Sequence, residues 1–338
     1  MISVAIVGYG YWGKNLARNF YATPDCFLHT IADADTNKLN SLTKVFPSTQ
    51  TTTSYEDVLL NPKIDAVILA TPVFSHYALA KRALEAGKHV LVEKPMTSTV
   101  GEAEELIALA QRKNKVIMPD HTFLYTGAVR KMKQLISSQE IGTINYYDST
   151  RINLGLFQPD VNVIWDLAPH DISILYHLID ERPISVSATG KSNLNNGIEN
   201  IAFVTLHFQS NIIAHFSCSW SSPVKIRQIL VGGDKKMILY DDNQVTEKIK
   251  VYDTGYSAKS DEEKQRILID YRVGDIYVPK LETREALAGV ANDFISAIQH
   301  GSEPISNWKS GLDVVRVLEA AQVSIKGNGR EVRINGEW

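Results

Sequence analysis

The spacing of apolar residues changes about a third of the way along the chain. Up to about residue 120, short apolar runs alternate with stretches of helical spacing. "SVAIVGYG" is an apolar run closed by glycines and predicts a buried strand; "YWGKNLARNFYA" behind it predicts a helix. "FLHTIAD" and "TNKLNSLTKVF" repeat the pair. "DAVILAT" is the clearest strand, and "FSHYALAKRALEAG" is an amphipathic helix stopped by Gly87. "KHVLVEK" is a strand closed by Pro95. "STVGEAEELIALAQRK" has a Ser98/Thr99 start with acidic residues in its first turn, the mark of a capped helix. Strands alternating with helices of this length imply βαβ crossovers and a parallel, doubly wound sheet.

From about residue 125 the period drops to two. "YDSTRINLG" reads as extended. In "NIAFVTLHF", Ala202, Val204, Leu206 and Phe208 fall on one face. In "NIIAHFSCSW", Ile212, Ala214, Phe216, Cys218 and Trp220 do the same. Such alternation predicts antiparallel strands with one covered face. Two late helices, "ETREALAGVANDFISAIQHG" and "NWKSGLDVVRVLEAAQVSIKG", close the chain. The predicted class is α/β: an N-terminal Rossmann domain over 1–122, then an α+β domain over 123–338 with a large, open, mostly antiparallel sheet. The boundary is expected near residues 119–125. The charged, weakly patterned stretch Thr254 to Tyr277 predicts a loop or short irregular strands.

Length and composition support this division and exclude several classes. The 338 residues suffice for two cores, and 44% hydrophobic with 22% charged residues is an ordinary globular balance. The net charge is −3 and Lys and Arg are scattered, which argues against nucleic acid as a partner. No apolar run reaches the ~18 residues of a membrane helix. "MISVAIVGYGYWG" lacks the basic start of a secretion signal. Cys26 and Cys218 form no CxxC pair, so no disulfide framework is expected and a cytoplasmic location is the default.

Gly8-Tyr9-Gly10-Tyr11-Trp12-Gly13 is a GxGxxG string that follows the first strand and opens a helix, the context in which it binds a dinucleotide. Gly8 permits the tight turn, Gly10 lets the backbone approach a pyrophosphate, and Gly13 lets helix pack on strand. The helix N-terminus offers its N–H groups to the phosphates. Asp33 ends the second strand, twenty positions after Gly13, where an acid binds the adenosine ribose hydroxyls. A 2′-phosphate there would meet a carboxylate, and the next Lys or Arg is Lys38, so NAD is favoured over NADP. Asp35 suits the cap of the following helix. Strand ends hold ligands in such sheets, and two of them carry Thr71-Pro72 and Glu93-Lys94-Pro95. In "NVIWDLAPHDIS", Asp166 and His170 stand four apart and would share one helix face. Taken alone, that stretch reads first as a capped helix, with Asp166, Pro169 and Asp171 suited to its first turn and His170 an ordinary partly buried histidine.

With the fingerprint, Asp33, "EKP" and the DxxxH together, the chain resembles the Gfo/Idh/MocA family of glucose–fructose oxidoreductase and inositol dehydrogenase. The resemblance covers nearly the whole sequence and is most specific in "ATPVFSHYALAKRALEAGKHVLVEKPM". It implies a two-domain NAD(P) enzyme in which Lys94, Asp166 and His170 are the catalytic residues. Lys94 would approach from one domain, and Asp166 and His170 would lie on a helix facing the nicotinamide. His170 would take the alcohol proton as hydride leaves, since a free histidine titrates near ~6.5. Lys94 would stabilise the developing alkoxide. Asp166 would position the alcohol or orient His170.

Gly8, Gly10, Tyr11, Trp12, Gly13, Asp33, Thr71, Pro72, His76, Glu93 and Lys94 are the expected cofactor contacts. Tyr125, Arg151 and Asn153, with Asp166 and His170, are the substrate-contact candidates; His121 is a weaker one. No third ligand is spaced to make a metal site with Asp166 and His170. Two departures from the common family pattern reshape the expected pocket: bulky Val163, Ile164 and Trp165 before Asp166, and Pro169 before His170. The version "RINLGLFQPDVNVIWDLAPHD" resembles members that modify nucleotide sugars, such as those oxidising C3 of a UDP-N-acetylhexosamine or its uronic acid. Alternatives are an inositol or free-sugar dehydrogenase, a ketosugar reductase, or a non-catalytic regulator that senses NAD(H). The family commonly pairs subunits through the open sheet, which implies a homodimer or homotetramer.

Overall fold

The computed structural model describes residues 1–40, 42–155, 157–158, 160–194, 197–257 and 270–334. By contacts the chain forms two compact units. One comprises Met1–Thr126 with Arg284–Glu319, the other Gly127–Thr283 with Ala320–Trp338.

In the first unit, β1 (Ile2–Val7), β2 (Cys26–Ala32), β3 (Gln50–Thr52), β4 (Ala66–Leu69), β5 (His89–Glu93) and β6 (Ile117–Asp120) form one sheet. Their order is 3-2-1-4-5-6 and every pairing is parallel. Residues 4–6, 66–69 and 90–92 are fully buried. Continuous apolar strands of this kind are what a parallel sheet covered on both faces requires. The crossovers carry α1 (Tyr11–Ala22), α2 (Thr36–Leu39), α3 (Leu42–Val45), α4 (Tyr55–Leu60), α5 (Val73–Glu85) and α6 (Val100–Lys113). Of the helix expected over "TNKLNSLTKVF", Thr36–Leu39 and Leu42–Val45 are helical, and residue 41 lies outside the described residues. Asp35 caps the first of them, its Oδ1 accepting from the Asn37 N–H at 3.0 Å. Gly87 turns the chain after α5 with φ +74°, and Thr99 and Glu102 close a capping box on α6.

The late helix Ala286–His300 belongs to this unit, although it follows the strands of the other in sequence. Phe294 meets Phe20 of α1 edge to face at 6.3 Å, and Glu285 accepts from Arg18 and Asn19.

The second unit begins with α7 (Gly127–Ser137) and β7 (Ile144–Leu154), followed by α8 (Val163–Leu178). Then come β8 (Ser185–Lys191), β9 (Ile201–His207), β10 (Ile213–Ser219), β11 (Ser221–Gly233), β12 (Met237–Asp241) and β13 (Ile249–Tyr252). The short strands β14 (Gly255–Ser257), β15 (Asp270–Arg272), β16 (Ile276–Tyr277) and β17 (Val332–Arg333) complete the list. Among the described residues nine strands form one sheet in the order 16-13-12-11-7-10-9-8-17, antiparallel except between β7 and β10. The short strands expected between Thr254 and Tyr277 are present as β14, β15 and β16; residues 258–269 lie outside the described residues.

The alternation in β9 and β10 is realised: Ala202, Val204, Leu206, Ala214, Phe216, Cys218 and the adjoining Trp220 are buried. Helix α8 lies against that face. Tyr147 of β7 donates its hydroxyl to the Asp171 carbonyl at 2.9 Å. Arg151 of β7 grips the Asp171 carboxylate with two nitrogens, Nε at 2.8 Å and Nη2 at 2.6 Å. Both side chains are almost wholly buried, so each charge depends on the other. Asp171→Asn should therefore destabilise the chain by about 3 kcal/mol or more, measured as urea-denaturation midpoint at constant slope. An unchanged midpoint would show that the pair carries no such weight.

Candidate active site

The glycine fingerprint folds as a cradle at the carboxyl end of β1. Gly8 has φ +94°, and a Cβ there would lie 2.4 Å from the Ala70 carbonyl oxygen. A Cβ on Gly13 would lie 1.9 Å from the Gly8 carbonyl oxygen, so α1 packs directly on the turn. Around Gly10 the space is open, with nothing within 4 Å of a Cβ position. Gly10 is also the residue before α1, and it gives the helix no side-chain cap. Free N–H groups beside an open backbone are what a pyrophosphate needs, so these residues fit a dinucleotide. Tyr11 and Trp12 open α1 with exposed rings 5.2 Å apart.

Asp33 lies just beyond β2 and closes the cradle from the side. Its Oδ2 accepts the Tyr9 N–H at 2.7 Å and its Oδ1 the Asp35 N–H at 2.9 Å. Lys38 reaches both oxygens at 3.2 Å. Burial alone would raise the Asp33 carboxyl, but these donors and the Lys38 charge outweigh it and hold it below the ordinary aspartate range. The carboxylate expected to meet the ribose is thus fixed and ionised, with a half-exposed ammonium beside it.

Beyond β4 and β5 the loops are laced together by His76. From the first turns of α5 its Nε2 lies 2.8 Å from the Thr71 carbonyl and its Nδ1 2.9 Å from the Pro95 carbonyl. The ring is buried, and burial lowers its basicity despite the two carbonyls. Pro72 supplies the residue before α5. Glu93 ends β5 opposite Asp120, which ends β6. Both are buried and both carboxyls are raised, by burial first; for Glu93 the charge of Asp120 adds to this, and the Lys94 ammonium opposes it for both. Tyr125 is buried too: its hydroxyl donates to Asp293 at 2.6 Å and accepts the Ser306 N–H at 3.2 Å.

In the second unit, α8 starts at Val163 with Asn162 as its cap, accepting the Trp165 N–H at 3.3 Å. The cap therefore lies four residues ahead of Asp166, and Pro169 sits inside the helix rather than in its first turn. Asp166 and His170 are half-buried, one turn apart. The Asp166 Oδ2 accepts the indole N–H of Trp220 at 3.1 Å. Trp220 is itself fully buried, packed against Phe157 with ring centroids 5.6 Å apart. Arg151 is committed to Asp171, the neighbour of His170, and Asn153 follows on β7, half-buried.

The structure thus groups the fingerprint with Asp33, Thr71 with His76 and Pro95, Glu93 with Lys94 and Asp120, and Asp166 with His170. Sequence reasoning did not single out Trp220 or Asp120 as members of these groups. For Trp220 a trace was present, because its place at the end of the buried face of β10 left its N–H in need of an acceptor. For Asp120 the trace was a carboxylate closing an apolar strand.

Comparison with known proteins agrees with this geometry. Residues 2–121 match the oxidoreductase family with NAD-binding Rossmann fold, and residues 129–239 match the GFO/IDH/MocA C-terminal domain. The fold and cradle fit a dinucleotide, and the chain belongs to the Gfo/Idh/MocA oxidoreductase family. It is similar to the uncharacterized oxidoreductase YdgJ of Escherichia coli K12, 32% identical over 182 residues. That alignment spans 50% of this chain and 51% of YdgJ. It is 30% identical over 193 residues to the UDP-N-acetylglucosamine 3-dehydrogenase of Acidithiobacillus ferrooxidans, spanning 55% of this chain and 56% of that protein. The solved structure of that dehydrogenase, GnnA, superposes with a TM-score of 0.80 at 22% identity, covering 97% of this chain and 99% of GnnA. GenD2 from gentamicin A biosynthesis, solved in complex with NAD, gives 0.82 at 22% identity, covering 99% and 97%. The chain thus spans about half the length of the curated relatives named here, while the superpositions show its fold along nearly the whole chain.

The surroundings of Asp33 set a cofactor test. The carboxylate repels a 2′-phosphate and Lys38 attracts it, so NAD should bind more tightly than NADP, and Lys38→Ala should widen the gap. Asp33→Ser should narrow or reverse it. Titration by intrinsic fluorescence decides; equal affinities in the unmodified protein would remove Asp33 from this role.

Proposed function

We propose that the chain is an NAD-dependent dehydrogenase of a secondary alcohol in a sugar or nucleotide sugar, or the reductase of the corresponding ketone. The observation that carries this reading is the pair Asp166 and His170 on one face of α8, with Asp166 held by a buried indole. A cap needs neither residue, because Asn162 already caps the helix. The likeness to a UDP-N-acetylglucosamine 3-dehydrogenase supports a nucleotide sugar, and C3 of a UDP-N-acetylhexosamine or its uronic acid is the narrower proposal.

In this reading the fingerprint glycines hold the pyrophosphate, Tyr11 and Trp12 flank it, and Asp33 holds the adenosine ribose. Thr71, Pro72, His76 and Glu93 shape the wall on the other half of the sheet. Bound NAD supplies the hydride acceptor. His170 takes the proton from the alcohol oxygen as the carbon gives up its hydride. The Lys94 ammonium stabilises the negative charge that gathers on that oxygen. Asp166 orients the alcohol or the imidazole, and Trp220 fixes which way its carboxylate points. Asn153 is a direct contact for the sugar. Arg151 acts through Asp171, holding α8 in place, and Tyr125 braces the end of β6 through Asp293.

The open face of the nine-stranded sheet supports assembly. Phe203 and Ile213 are each 47% exposed there, and the Phe203 ring stacks on His215 at 6.2 Å. Exposed apolar residues on a broad sheet face are usually covered by another subunit. Light scattering at micromolar concentration should report a homodimer or homotetramer, and a monomer would refute this part of the proposal.

Turnover tests the chemistry, followed as NADH formation against a panel of sugars and nucleotide sugars. His170→Asn should keep the fold and NAD affinity while turnover falls by about 10²–10⁴-fold. Lys94→Ala should also lower it. Asp166→Asn should cut turnover while the melting temperature stays near that of the unmodified protein. Unchanged turnover in His170→Asn would mean that the proton leaves by another route.

A further inference from the structure

Two carboxyl groups in the first unit are buried side by side, and neither moves a proton in the chemistry above. Glu93 and Asp120 are the last residues of β5 and β6 and are directly paired across the ladder. Paired residues on neighbouring parallel strands point to the same face, with backbones about 4.8 Å apart. Thr122 donates to the Asp120 Oδ1 at 2.6 Å, while Oδ2 is buried with no hydrogen-bond partner among the described residues. His121 is fully buried beside it, and neither ring nitrogen has a partner there.

Two carboxylates so placed cannot both ionise cheaply, and a pair of this kind titrates as a unit. The charged and titratable groups around it are Lys94 after β5, His121 and Tyr125 after β6, His76 on α5, and Asp293 on the late helix that binds Tyr125. Burial and the Lys94 charge push His121 and His76 down and burial pushes Tyr125 up, and Lys94 is the cation among these whose charge acts on both carboxyls. One ammonium balances one carboxylate and leaves the other to carry a proton. Burial, then the charge of Asp120, pushes Glu93 up to about 8.

The position of the pair gives that proton a consequence. In a sheet of order 3-2-1-4-5-6 the dinucleotide lies across the carboxyl ends, one half on each side of the β1–β4 reversal. Asp33 at the end of β2 takes the adenosine side, which leaves the ends of β4, β5 and β6 to the nicotinamide side. That ring is positively charged when oxidised and neutral when reduced. We propose that Glu93 and Asp120 share one proton and release it when the oxidised cofactor binds, so that the pair matches its charge to the oxidation state of the nicotinamide. The inference rests on the NAD reading of this unit but not on any substrate. It makes Glu93 and Asp120 positioning residues that favour the oxidised form as pH rises.

Below the ionisation of the pair its charge is minus one, offset by Lys94, and a cationic ring gains little. Above it the charge is minus two and the ring supplies the missing cation. At an effective dielectric of about 20, one added unit charge facing the cationic ring is worth on the order of tenfold in affinity.

The test is cofactor binding alone, with the full chain, by fluorescence titration from about pH 6.5 to 9.5 at fixed ionic strength. The NAD+ dissociation constant should fall on the order of tenfold across a step centred near pH 8, while that of NADH stays level. In weak buffer just below the step, adding NAD+ should release protons and adding NADH should not. Glu93→Gln and Asp120→Asn each leave a single carboxyl, and each should remove the step from this range. An NAD+ constant that runs parallel to that of NADH would overturn the inference while leaving the proposed function standing. A step that survives in both variants would overturn it equally. Failure to bind either form at any pH would overturn both readings.

Discussion

The strands β4 and β5 are buried on both faces and carry polar side chains only at their ends. That constraint organises the first unit. Residues 66–69 and 90–92 are wholly enclosed, and the chain turns polar immediately after, at Thr71, Glu93 and Lys94. Because all six strands run parallel, their polar ends lie along one edge of the sheet, beside the free N–H groups of α1. A cofactor site of this type is the place to which a doubly wound sheet relegates its functional groups.

The second unit solves a different problem, how to hold a helix bearing polar groups on an apolar sheet. Arg151 and Asp171 do so with a buried fork, and Tyr147 adds a hydroxyl to the Asp171 carbonyl. The cost of burying two charges is offset only if the geometry is good, and that demand fixes the rotation of α8. Rotation of α8 decides where Asp166 and His170 point, and Trp220 then settles the Asp166 carboxylate itself. Specific orientation here comes from buried polar contacts, because apolar packing alone tolerates slippage.

Much of this was legible in the sequence. The change from helical to twofold spacing announced both sheets, and the cap at Asp35 and the capping box at Thr99 followed from side-chain chemistry at helix starts. The glycine fingerprint was readable because each glycine answers a separate steric demand, at Gly8, Gly10 and Gly13. What stayed hidden was partnership. An amphipathic pattern says that a helix buries a face but not against what, so nothing along "ETREALAGVANDFISAIQHG" showed that Phe294 would meet Phe20. A guanidinium carries no label for its carboxylate, so Arg151 read as a ligand contact, whereas its fork closes on Asp171. The paired carboxyls at Glu93 and Asp120 were equally unreadable, because strand register, not spacing, brings them together.

The late helix Ala286–His300 also imposes an order on the making of the molecule. Phe20 and Tyr125 lie in the first 126 residues, yet one packs on Phe294 and the other bonds to Asp293. While a ribosome is still translating the second sheet, the nucleotide-binding unit lacks the segment that covers these groups. A nascent chain emerging at about 5–20 residues per second must wait roughly ten seconds or more between the two. During that interval an aromatic surface stands open to chaperones, and a chain cut short before residue 284 would keep it open permanently.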